Sequence, residues 1–446
     1  MTSSQPDLEA RVAAAVRTIA DEPQIVRPPL PIRRERRVAR GLQRWAPAAA
    51  ALGVLVMILL VAGVPWGSGG GPTTAAPASK PLLPETFAGM SLVTAKLSDA
   101  PLKQRAIAVV SQGNLGTTWG TVQKVVVGAD GRTYRRIDLA ESRGAQGADA
   151  EWHNAQTLLS ADGTQIAVGD ERGGATEIPL LDLVTGERHD VKLARPSAYR
   201  LMGWSPEGTK LAVTVRDVAA REAEVFDGDE EDGRLMVVDV STGSWQDLGV
   251  YQNWWAPVAF SADGTRLMVQ NYVDQSWHLD AIEVSSGRTV ASTNLPRDWS
   301  ITGYAPDLGG AVVIQAGDDD TRLQVMRLPD GTPAGREISL GRSADPVAWR
   351  SAGTLVLFST SHAGRSPELI ELDVDTGAVR VLATFEEPLL GGVNSVALAS
   401  DLLADAGTTD AQPERGPWPV GIRIAIGVLL GGIAVVAVRS WRRARA

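Results

Sequence analysis

Between Leu159 and Gly377 the apolar and polar positions repeat one pattern five times. Each copy has an apolar or aromatic residue, a short turn ending in Gly, two alternating runs, and a second turn closing on Gly. The copies open at Leu159 (LSADGTQIAV), Trp204 (WSPEGTKLAV), Phe260 (FSADGTRLMV), Tyr304 (YAPDLGGAVVI) and Trp349 (WRSAGTLVLF), at spacings of 45, 56, 44 and 45 residues. Alternation with period two places one face of a strand in a core and the other toward solvent. A repeat of this length built from short strands predicts a β-propeller with one four-stranded blade per copy.

Within a copy the opening residue ends an inner strand, and Gly163, Gly208, Gly264 and Gly353 supply the permissive backbone of the following turn. Later runs such as 235–240 and 369–374 read as third strands, and Gly186, Gly243, Gly287, Gly331 and Gly377 mark the hairpins to short outer strands. Residues 106–139 hold the second, third and fourth strands of a further blade without an innermost one. One more repeat length beyond Trp349 falls at VNSVALAS, 393–400, so a C-terminal strand is expected to complete that blade and close the ring. Closure removes free sheet edges. The prediction is an all-β, six-bladed β-propeller with residues 82–103 packed as an arm, or seven blades if that arm joins another blade.

The copies resemble the TolB-type propeller repeat, a WD-repeat-like pattern of W-S-P-D-G-x-x-L/I-A followed by L-x-x-x-D-x-x-T-G. The match is closest at Trp204–Val213 and Leu369–Gly377, and the resemblance covers roughly residues 106–400. It implies a fold and an interaction surface, not a reaction. Gly-His and Trp-Asp signatures of true WD repeats are missing, and so is the Asp-box of sialidases.

Two apolar stretches bracket the repeats. Residues 46–64 hold no charge, and at about 1.5 Å per residue they span roughly the 30 Å hydrocarbon slab. The second, 420–438, has one charge, Arg423, near its upstream end, where it can snorkel, and a Gly427-x-x-x-Gly431 step that allows close helix approach. Arginines crowd 27–44 and 439–445, which places both flanks inside and the repeats outside. The expected order is therefore a cytoplasmic basic tail with a short amphipathic helix (1–45), a transmembrane helix (46–64), a flexible linker (65–81), the extracytoplasmic propeller (82–400), a second linker (401–417), a transmembrane helix (418–438) and a basic cytoplasmic tail (439–446). The helix from Asp7 carries Leu8, Val12, Val16 and Ile19 on one stripe, which suits a cytoplasmic protein partner or the inner leaflet.

The chain has 446 residues, is 44% hydrophobic and 21% charged, and carries a net charge of −9. With the basic residues concentrated in the tails, the outer part is strongly acidic, which argues against nucleic acid as a partner. Arginine far exceeds lysine, and Ala and Gly abound, a composition that points to a GC-rich bacterial genome. Cysteine is absent, so disulfides and thiolate chemistry are excluded.

Little else in the sequence carries chemistry. Ser205 sits in Gly203-Trp-Ser-Pro-Glu-Gly208, one residue too long for a nucleophile elbow, and Ser160 and Ser261 hold the same place in other copies, so turn serines are expected. His153, His189, His278 and His362 show no ligand spacing, and the acidic insertion Asp227–Gly233 fails the calcium-loop pattern at its sixth and twelfth positions. No metal, cofactor or catalytic residue is assigned. Thirteen tryptophans include Trp119, Trp152, Trp245, Trp277 and Trp299 away from the blade openings, and Trp254 and Trp255 are the candidate binding residues. The expected function is a non-catalytic, membrane-anchored extracytoplasmic propeller. It would act as a sensor or scaffold for a protein or ligand and could relay to a cytoplasmic partner. The rival is a propeller enzyme acting on cell-surface glycan or peptide through dispersed acidic residues.

Overall fold

A computed structural model of the chain describes residues 80–91, 93–113, 122–143, 156–217, 233–251, 258–273, 276–296, 299–305, 310–315, 320–327, 332–360, 366–386 and 392–418, with 427, 431–432 and 435–442. The chain divides into two units, Val61–Ile426 and Met1–Leu60 with Gly427–Ala446. Every strand belongs to the first unit, and among the described residues no helix interrupts 159–382.

The repeated turn folds by local chemistry. Ser160 Oγ donates to Asp162 Oδ1 at 2.7 Å and accepts from Gln165 N at 2.9 Å, while Asp162 Oδ1 also accepts from Thr164 N at 3.0 Å. Ser261 and Asp263 repeat this clasp, and the hydrogen bond from Ser261 is the main reason the Asp263 carboxyl lies at about 2. These serines are buried turn elements, as expected. Gly163, Gly208 and Gly264 take φ near +70°, whereas the shorter turn at Gly353 does not need it. In the D-x-x-T-G hairpin, Asp373 Oδ1 accepts from Thr376 N and Oγ1, both at 2.7 Å, an Asx turn that fixes the register.

The strands assemble into radially ordered antiparallel arrays. The first contains β3 (Ala106–Gly113), β4 (Gln123–Gly128) and β5 (Tyr134–Arg136), followed by helix α1 (Asp138–Arg143). Next come β6 (Thr157–Leu159), β7 (Gln165–Val168), β8 (Asp170–Asp182), β9 (Arg188–Trp204), β10 (Lys210–Asp217), β11 (Gly233–Asp239) and β12 (Trp245–Tyr251), joined as one seven-stranded sheet. Its 17-residue β9 is the outer strand of one repeat and runs straight on as the inner strand of the next, a continuity the turn pattern had not suggested. Two four-stranded sheets follow: β13 (Val258–Phe260), β14 (Arg266–Val273), β15 (Ser276–Glu283) and β16 (Thr289–Leu295), then β17 (Trp299–Ala305), β18 (Gly310–Gln315), β19 (Arg322–Arg327) and β20 (Ile338–Ser339). The last array is β21 (Asp345–Ser351), β22 (Thr354–Ser359), β23 (Glu368–Asp373) and β24 (Val379–Phe385). The architecture is an all-β, propeller-like fold.

The ring closes as the repeat spacing predicts. Strand β25 (Gly392–Leu398) pairs antiparallel with β3, Val396 facing Val110, and supplies the first array's innermost strand. The 82–103 arm packs as expected: β1 (Leu82–Pro84) and β2 (Thr86–Phe87) leave it, and β2 adds to β24 in parallel. Phe87 stacks on Phe385 with ring centroids 4.8 Å apart, and Phe358 meets Phe385 edge-on at 5.5 Å. The expected linker at 401–417 is a correction. Helix α2 (Ser400–Leu403) buries Leu402 and Leu403, and β26 (Gly407–Thr409) pairs in parallel with β1. Arg415 then donates to the Gly89 carbonyl from both Nη1 and Nη2 at 3.1 Å, and Arg135 pairs with Glu414 at 2.8 Å. A Gly- and Asp-rich composition reads as a tether, but these few apolar and charged groups find partners on the arm. The closing strand is thus bolted a second time.

The first apolar stretch, 46–64, and the helix from Asp7 lie outside the described residues. The second stretch is described only at 427, 431–432 and 435–438, all helical. Among the described residues no helix is long and apolar enough to cross a membrane.

Candidate binding site

The innermost strands run the same way, and the turns after β6, β9, β13 and β21, with helix α2 after β25, converge at one mouth of the ring. There a cavity of about 580 Å³ is lined from β6, β9, β13, β17, β21 and β25. Trp204, Phe260 and Trp349, three of the residues that open the copies, form its aromatic wall. The residue after each turn serine adds an apolar rim: Ala161, Pro206, Ala262 and Ala352.

Polar groups share the lining: Thr302, Arg350, Ser351, Ser400 and Asp401. Trp204 Nε1 is used by the Leu158 carbonyl at 3.2 Å. Arg350 donates to Glu371 Oε2 at 2.7 Å and to the Ala406 carbonyl at 3.0 Å, which ties the cavity wall to the C-terminal bolt. Asp401 lies at the rim with its amide on the Ala161 carbonyl at 3.0 Å; burial, then the nearby Asp162 charge, raises its carboxyl above the usual range. Thr302 sits at a bulge in β17, and its buried Oγ1 has no hydrogen-bond partner among the described residues. An orphan hydroxyl inside an aromatic chamber is a ready anchor for a ligand's polar group.

The opposite ends of the strands carry charge. Lys124 on β4 is lowered to about 8 by burial, which the charge of Glu171 only partly offsets. Burial raises Glu171 above its ordinary value against the pull of Arg200 and Lys124. Arg200 Nη1 stands 3.7 Å from Glu171, and Arg143 Nη1 stands 3.7 Å from Asp170 while donating to Tyr199 Oη at 3.1 Å. Burial also raises Tyr199, whose hydroxyl donates to the Val168 carbonyl at 2.8 Å. No histidine or serine base–nucleophile pair joins this group among the described residues.

The candidate residues Trp254 and Trp255 lie outside the described residues, as do Trp119, Trp152, His153, His362 and the Asp227–Asp232 carboxylates. Trp277 tilts against Tyr272 with centroids 4.9 Å apart, and Trp277 and Trp299 both pack against the core cluster of Met268, Leu279 and Leu295. His189 is exposed on β9, His278 is partly buried on β15, and no group of three His, Cys, Asp or Glu able to hold a metal forms among the described residues. The chamber itself was missed in the sequence. Its signal was present in the small or apolar residue that follows each turn serine.

No family model matches the chain, and no curated protein matches it. Among solved structures, TolB from Acinetobacter baumannii is similar at 14% identity and TM-score 0.47, over 66% of this chain and 66% of that one. A putative TolB from Agrobacterium tumefaciens aligns at 15% identity and TM-score 0.38, over 65% of this chain and 91% of its own. The β-propeller domain of the Trilobed protease from Pyrococcus furiosus aligns at 12% identity and TM-score 0.37, over 51% and 69%. Likenesses at this level carry no inference about what the chain does, and the architecture stands on its own strand pairings.

Proposed function

We propose that this chain is a membrane-anchored binding protein whose six-bladed propeller lies outside the cell and recognises a protein or ligand at the aromatic mouth. The observation that carries the reading is the chamber: all the innermost strands contribute, Trp204, Phe260 and Trp349 wall it beside Arg350, Ser400 and Asp401, and the Thr302 hydroxyl has no partner among the described residues. Concave sites that combine aromatic walls with placed polar groups suit recognition. The two apolar stretches and their arginine flanks support anchoring, and the stripe from Leu8 to Ile19 supports a cytoplasmic partner.

The test uses the full chain in its native membrane. Capture from membranes is compared between the natural chain, the Trp204→Ala/Trp349→Ala pair and a chain lacking residues 1–26. A partner retained by the tail deletion and lost by the tryptophan pair supports recognition at the mouth, and one that ignores both tryptophans refutes it. Because the chain lacks cysteine, Glu187→Cys at an exposed hairpin reports sidedness: labelling of intact cells by an impermeant maleimide is expected, and labelling only after lysis overturns the orientation. A second reading, an enzyme acting on surface glycan or peptide, draws support from Lys124, Asp170, Glu171 and Arg200 at the opposite ends of the strands.

A further inference from the structure

A second cavity, of about 600 Å³, opens away from the axis where β9 passes from one array into the next. Its cause is an irregularity in the strand. Lys192 faces Glu177 and Ser197 faces Ala175, so the four residues from Leu193 to Pro196 stand opposite Thr176 alone. Pro196 has no N–H for a ladder, and such bulges bend a strand away from its partner. The bend exposes a floor of Leu193, Val215, Met236 and Trp245, with the Trp245 ring fixed by its Nε1 on the Lys192 carbonyl at 3.2 Å.

Three arginines contribute to the lining: Arg195 from the bulge, Arg216 near the end of β10 and Arg234 on β11. Among the described residues that line the cavity, none carries a carboxylate. Arg234 is ion-paired with Asp247 on β12, and each guanidinium has five donors, so a contact with one neighbour leaves others for a ligand. In a chain whose net charge is −9, three arginines gather on one apolar cavity. Guanidinium forks match carboxylate and phosphate oxygens, and the floor offers burial to whatever body carries them. The volume lies in the range of about 300–1,000 Å³ common for small-molecule sites.

We infer that the β9 bulge cavity is a binding site for an amphiphilic organic anion, with a phosphate or carboxylate head held by Arg195, Arg216 and Arg234 and an apolar body on Trp245 and Met236. This site is separate from the aromatic mouth and does not depend on it.

The test titrates the full chain in neutral-lipid nanodiscs with 1-naphthyl phosphate, read by the probe's fluorescence polarisation, beside inorganic phosphate, 1-naphthol and 1-naphthylmethylammonium. Naphthyl phosphate is expected to bind at least tenfold tighter than the other three. Arg195→Gln and Arg216→Gln are each expected to weaken it about tenfold, the effect of losing one charged hydrogen bond. Met236→Trp, which fills the floor without altering charge, is expected to abolish binding, and it serves as the reporter if an arginine variant unfolds. Equal binding of naphthol shows a merely greasy surface, and equal binding of inorganic phosphate shows a simple anion site; either overturns the proposal. So does indifference to all three variants, or binding that appears only after removal of residues 218–232, which would make the chain's own acidic insertion the occupant.

Discussion

Gly163 and Gly208 occupy the same turn position in successive copies, with φ of +73° and +69°, yet their surroundings differ. A Cβ at Gly208 meets nothing within 4 Å, whereas one at Gly163 falls 2.1 Å from the Ala106 carbonyl oxygen and 3.1 Å from Leu402 Cδ1. The contact is tight because the Gly163 turn docks on the closing array, its own carbonyl accepting from Ala106 N at 2.7 Å. Gly208→Ala therefore costs only the left-handed backbone, about 1–2 kcal/mol. Gly163→Ala costs the same plus a forced separation from a backbone atom that no rotamer change can relieve, roughly another 1–3 kcal/mol. Thermal unfolding of the purified chain, followed by near-ultraviolet circular dichroism, measures both. At roughly 2 °C per kcal/mol for a domain of this size, Gly163→Ala is expected to melt several degrees below Gly208→Ala. Gly208→Asn should recover part of its loss, since Asn tolerates this backbone region, while Gly163→Asn should not. Equal shifts for the two alanines would refute the claim that this turn seals the ring.

Two further outcomes follow from the charge cluster and the bolt. Lys124, lowered to about 8 in the fold and near 10.5 when unfolded, binds fewer protons folded than unfolded between those values, so stability should rise as pH climbs from about 8 to 10.5. In Lys124→Met the urea midpoint should lose that rise, and an unchanged pH profile would count against the burial of this amine. Arg415→Ala removes the contacts to Gly89 and Thr94 that hold the C-terminal segment on the arm. Amide exchange should then quicken at Leu82–Pro84 and Gly407–Thr409 while Val125–Val127 stays protected; parallel quickening of both would show a global loss instead.

Strand repeats, turns and the closing strand were legible because each depends on neighbours a few residues away. The apolar runs at Gln165–Val168 and Lys210–Val213 declare strands, which the fold buries on both faces, and Asp373, Thr376 and Gly377 build their hairpin from their own side chains and backbone. Even closure was readable, since β25 falls one repeat length beyond Trp349. The segment 401–417 was misread because its composition is that of a tether. Leu402, Leu403, the β26 pairing with β1 and Arg415 hold it down, and their partners lie far earlier in the chain, 326 residues away for Arg415 and Gly89.

What the sequence determined by itself is a ring of short strands with polar turns, because periodicity and turn chemistry are local and survive any arrangement of the arrays. What only the tertiary structure decided is where surfaces meet. Trp204, Phe260 and Trp349 wall one chamber because inner strands far apart in sequence end on a common axis. Arg195, Arg216 and Arg234 share one cavity because a four-residue bulge bends β9 between two arrays. Neither meeting has a spacing rule, since the distance along the chain between such residues says nothing about their distance in space until the ring is closed.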